Sequence, residues 1–79
     1  MKVCVNIGFG NIVNKERVIA ILSPDSTPIK KLKNEFKNTG KIIDATKGKK
    51  TRAILITDSG HIIMSAIAPQ TLAERINET

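Results

Sequence analysis

Lys47, Gly48, Lys49, Lys50 and Arg52 fall within six consecutive positions of the chain. The wider stretch from Lys41 to Ala53, KIIDATKGKKTRA, holds five basic residues against the single acid Asp44, so it carries four of the chain's six net positive charges. Apolar Ile42 and Ile43 precede the cations, and a strand-like run follows them from Arg52. A glycine among lysines between two β-forming runs describes a basic loop held up by a sheet. The chemistry such a loop suits is contact with phosphate oxygens. Arg17, at the start of another apolar run, and Lys30, Lys33 and Lys37, on one flank of an expected helix, are candidates to share its face. The bland alternative is a solvated charge run on a connecting loop. Phe9 and Phe36 are the only aromatics, so recognition of single strands by base stacking is poorly supported.

Other reactive types are sparse. Cys4 and His61 are each alone, which leaves no metal cluster and no disulfide. A lone cysteine on an apolar strand reads as a small buried hydrophobe in a reducing compartment. No serine elbow accompanies His61, and Asp44 and Asp58 lie beside loop signals, where a turn hydrogen bond or a lysine partner is their expected work. Gly8-Phe9-Gly10 follows a strand, but GxG falls short of a dinucleotide fingerprint and no helix begins after Asn11. It reads as a turn. With no nucleophile–base pair, no cofactor motif and no small-molecule substrate evident, an enzyme is not expected.

The elements that must position the loop follow from the apolar periods. Lys2 to Ile7 alternates as a strand, and Gly8 to Asn11 breaks it. Arg17 to Leu22 becomes continuously apolar after its first residue, which predicts a strand covered on both faces. Thr27 is expected to cap a helix with Pro28 at its first position; Ile29, Leu32 and Phe36 share its apolar face, and Gly40 ends it. Lys41 to Thr46 reads as a short strand, Thr51 to Thr57 as another, Asp58-Ser59-Gly60 as a turn, and His61 to Ile67 as a last strand. Pro69 opens a short final helix with Leu72 and Ile76 on one face. The order β-β-α-β-β-β-α predicts a single α+β domain over residues 1–79, built on a mostly antiparallel five-stranded sheet.

Length and charge bound the rest. Seventy-nine residues make one domain, which buries roughly 60% of its unfolded surface and is marginal without a staple. Two helices cannot cover both faces of five strands, and the apolar surface left wet predicts a homo-oligomer, cyclic or dimeric. Thirteen basic against seven acidic residues give +6, and the pI of about 9.8 is the footprint expected for a phosphate-rich partner. The N-terminus lacks the apolar centre of a signal peptide, and no run approaches the ~20 apolar residues of a membrane helix. A cytoplasmic protein that does not engage membranes is expected.

Four stretches together resemble one family: NIGFGNIV (Asn6 to Val13), SPDSTPIK (Ser23 to Lys30), IDATKGKKTRA (Ile43 to Ala53) and SGHIIMSA with the following proline (Ser59 to Pro69). The chain resembles the RemA family of small bacterial regulators of the biofilm extracellular matrix. The resemblance implies a fold similar to the LytTR-type DNA-binding domain. It also implies a ring-shaped homo-oligomer whose rim presents basic residues to double-stranded DNA, and transcriptional regulation as the task. The family's basic positions match Arg17, Lys49 and Lys50, with Arg52 and Lys47 beside them. Arginine is the common residue where Lys49 and Lys50 stand, and an aromatic where Lys47 stands. Arginine forks onto phosphates, whereas lysine acts as a point charge. The alternatives are a module for structured RNA, and an architectural oligomer whose rim meets an acidic protein surface.

Overall fold

The computed structural model describes residues 3–78, so Lys2, at the start of the first expected strand, lies outside the described residues. The elements are β1 (Cys4–Gly8), β2 (Asn11–Asn14), a 3-10 turn (Lys15–Arg17), β3 (Val18–Leu22), α1 (Thr27–Phe36), β4 (Ile42–Asp44), β5 (Ala53–Thr57), β6 (Ile62–Ser65) and α2 (Pro69–Asn77). The α+β class and both helices agree with the sequence expectation. The single five-stranded sheet does not. Asn11–Asn14 forms an additional strand, and β1 and β2 make a ribbon of their own beside a four-stranded sheet of order β3-β5-β6-β4.

The ribbon closes through two residues, Phe9 and Gly10, so a break that reads as the end of a strand is the tip of a hairpin. Gly8 precedes this tip at φ 110, and a Cβ there would lie 3.2 Å from Ile67 Cδ1. Val5 and Val13 pair on the inner face, while Cys4 and Asn6 pair with Asn14 and Ile12 on the outer one. Cys4 is therefore exposed rather than buried.

In the larger sheet, β5 is antiparallel to both β3 and β6, and β4 is parallel to β6. One face of β5 and β6 contributes Ala53, Leu55 and Ile63 to a cluster with Ile7, Ala45 and Leu72. Val13, Val18, Ile21 and Ile67 pack around that cluster. Ser65, fully buried, joins the two sheets: its hydroxyl donates to Ile7 O at 2.7 Å and accepts from the Ile67 amide at 3.1 Å. Arg75 ties α2 to the ribbon, donating to Asn6 O at 2.9 Å.

β3 departs from expectation. It is an edge strand with none of its residues buried, and Ile19 is 69% exposed. The continuous apolar run does not have both faces covered within one subunit. At the opposite edge, Ile43 of β4 is 45% exposed. α1 also begins and ends differently. Ser26, not Thr27, is the cap, its Oγ accepting from the Ile29 amide at 3.4 Å, and Pro28 takes the second position. The helix stops at Phe36, ahead of Gly40, and Asn38 takes a positive φ beyond it. No residue of α1 is buried.

Candidate nucleic-acid interface

The basic loop is pinned at both ends. On the near side the Ala45 amide donates to Met64 O at 2.9 Å. The Asp44 carboxylate accepts from the Thr46 amide at 2.9 Å and the Thr46 hydroxyl at 2.6 Å, over a buried Thr46. Those two bonds from Thr46, the hydroxyl's first, hold the Asp44 carboxyl below its ordinary value of 3.8 against an opposing effect of desolvation, with the charge of Lys33 on α1 as a lesser aid. The Lys49 amide then donates to Thr46 O at 3.0 Å across Lys47 and Gly48, both at positive φ. On the far side the Arg52 amide donates to Ser65 O at 2.8 Å, which returns the chain to the sheet. Asp44 thus does the turn-bonding work expected of it.

Lys47, Gly48, Lys49 and Lys50 are all exposed, as is Arg52. Among the described residues the one ion pair is elsewhere, so none of these cations is held in a salt bridge. Lys50 and Arg52 flank a shallow groove of about 270 Å³ that Ser23, Asp25 and Pro69 complete.

Arg17 sits apart. Its Nε lies 3.1 Å from Asp58 Oδ1, and the Asp58 amide donates to Arg17 O at 2.9 Å. Asp58 therefore partners an arginine rather than a lysine. Both residues adjoin the Thr57 end of β5, whereas the loop enters at the Ala53 end. At about 3.3 Å per strand residue, some 20 Å separates Arg52 from Asp58. One subunit thus gathers Lys47, Lys49, Lys50 and Arg52 but holds Arg17 at the other end of the sheet.

Two further features complete the surroundings. His61 Nδ1 is 2.7 Å from Ser59 Oγ, which lies 2.8 Å from Thr57 Oγ1. Among the described residues no carboxylate completes that chain, which binds the β5–β6 turn to itself. Phe9, absent from the candidates drawn from sequence, places its ring 5.9 Å from Lys47 Nζ. The signal was an aromatic between two glycines, whose exposure only the hairpin reveals. No helix among the described residues is long and apolar enough to cross a membrane.

Residues 4–76 match the family described as RemA-like, extracellular matrix regulatory protein A-like. The chain is 61% identical over 75 residues to a protein of Pseudothermotoga lettingae named "Putative regulatory protein", covering 95% of this chain and 82% of that one. Relatives bearing the same name in Fervidobacterium nodosum (60% over 75 residues, 95% and 81% covered) and Thermotoga maritima (61% over 74 residues, 94% and 80% covered) are similarly close. Family and names together support a regulatory role.

Proposed function

The chain belongs to the RemA-like family, and from that premise we propose that it is a DNA-binding transcriptional regulator acting as a ring-shaped homo-oligomer in the cytoplasm, with genes of the biofilm matrix as its targets. It acts by binding rather than by catalysis. The observation that carries this reading is the Lys47–Arg52 segment: four exposed cations on a turn pinned at both ends, none of them in a salt bridge among the described residues. A pre-ordered turn has little freedom left to lose when phosphates dock on it.

The edges of the larger sheet fit assembly. The sheet has two unlike edges, β3 and β4, each with a wet isoleucine. A contact between unlike surfaces repeats head to tail and closes into a ring when the rotation permits. Arg17 is 64% exposed, so its guanidinium can exchange Asp58 for a phosphate at little cost. Repetition around a ring then multiplies a modest contact per subunit.

Binding to duplex DNA, followed by fluorescence anisotropy over a salt series, is expected to fall by about 0.9 in log K per decade of salt for each phosphate neutralised. A Lys49→Ala, Lys50→Ala double variant should lose retention on DNA while keeping its oligomeric mass. Normal binding by that variant would remove the loop as the site. Competition by tRNA equal to that by duplex DNA would move the reading to structured RNA.

A further inference from the structure

Phe9 and Lys47 occupy the same place in two separate turns. The hairpin tip runs Phe9 (φ 53) to Gly10 (φ 79), and the basic turn runs Lys47 (φ 53) to Gly48 (φ 80). A two-residue turn with both central residues left-handed takes Asn, Asp or Gly at its first position, because a Cβ bearing a bulkier side chain crowds the backbone there. Only one other described non-glycine residue has a positive φ, and it is Asn38, a type that tolerates it. The two residues least suited to the conformation are thus the two that meet, ring to ammonium, at 5.9 Å.

Burial does not offset the strain, since Phe9 is 50% exposed. Strain retained at an exposed position points to work on a partner. The charge around the ring says which partner. Lys47, Lys49 and Lys50 are exposed around one turn and none is in a salt bridge among the described residues, so the same surface on a second copy is repelled and a polyanion is attracted.

We infer that Phe9 enters the minor groove of duplex DNA as an apolar wedge, with Lys47 beside it on the flanking phosphate. This rests on the duplex-DNA reading above and deepens it. A benzyl ring has no donor or acceptor for a base edge. What it senses is how readily a base step opens, and pyrimidine–purine steps such as TA open most easily. The wedge therefore supplies a sequence preference that point-charge lysines lack.

The test uses the full chain and two short duplexes, one with central TA steps and one with an A-tract, each carrying 2-aminopurine at the centre. Wild-type protein should bind the TA duplex more tightly and raise its 2-aminopurine fluorescence as the step unstacks. Phe9→Asn suits the turn, so its thermal midpoint should hold or rise and its oligomeric mass should not change. Its affinity for the TA duplex should nevertheless fall about tenfold, equivalent to roughly 1.4 kcal/mol. The fluorescence rise should vanish while the salt slope stays. Phe9→Leu, which suits the turn no better than phenylalanine but keeps an apolar wedge, should retain most binding and the rise. Phe9→Asn binding and unstacking the TA duplex like wild type, or Phe9→Leu falling as far as Phe9→Asn, overturns the wedge and leaves the DNA reading standing. Failure of the wild-type protein to bind either duplex near physiological salt overturns the DNA reading itself, and the wedge with it.

Discussion

β3 and β5 are neighbours in one sheet with nearly the same composition, VIAIL and AILIT, and opposite fates. In β5, Ala53, Ile54 and Leu55 are wholly inaccessible to water. In β3 no residue is buried, and Ile19 has most of its surface wet. Hydrophobicity therefore does not decide which strand is central. Neighbours do: β5 is hydrogen-bonded along both edges, β3 along one. An apolar run that the subunit leaves uncovered is surplus to its own folding, which fits the proposal that another copy covers it.

The contrast is sharpest in a paired substitution. Leu55→Ala should cost about 2–5 kcal/mol of stability in urea unfolding, because it opens a cavity in the buried cluster. Ile19→Ala should change subunit stability by only about 0.5 kcal/mol, while Ile19→Lys lowers the mass seen in sedimentation. Equal losses from the two alanine variants would erase the distinction between core and edge. An unchanged mass for Ile19→Lys would mean the β3 edge is not an assembly surface.

A smaller effect probes the buried side alone. Ser65→Ala should cost about 1–3 kcal/mol, since the Ile7 carbonyl and the Ile67 amide both lose a partner. A neutral result would mean the Ser65 hydroxyl does not hold the two-stranded ribbon to the larger sheet.

The smallest expected effect belongs to an exposed residue. The Asp44 carboxyl is held below its ordinary value by Thr46, so the folded state favours its ionised form. Its contribution is complete above the unfolded value and is lost as pH falls through the lower folded one. Thermal midpoints should thus be flat from neutral pH down to the ordinary carboxylate range and decline below it, with a shallower decline in Asp44→Ala. Identical acid limbs would mean the carboxylate does not order the basic turn.

What was legible in the sequence follows from range of interaction. The cations around Gly48, the helix opening near Pro28 and the turn at Asp58 to Gly60 are local signals, and each appears where its residues place it. β2 was not legible, because NIVN is short and only pairing with β1 makes it a strand. The exposed Cys4 and the edge position of β3 depend on which strands lie alongside, a long-range fact that alternation does not encode. The site divides the same way. Lys47 to Arg52 is contiguous in sequence and stays together, whereas the distance to Arg17 and the approach of Phe9 needed the folded chain.

α1 carries one more implication. Its three apolar side chains, Ile29, Leu32 and Phe36, remain half wet, and a single serine hydroxyl caps its start. A segment so lightly docked opens at a fraction of the free energy needed to unfold the whole domain. Its amide protons should exchange with deuterated solvent well before those of β5, and a protease should cut there first. If dilution speeds that exchange, the helix is being shielded by a neighbouring molecule, and its protection becomes a direct gauge of how much of the protein is assembled.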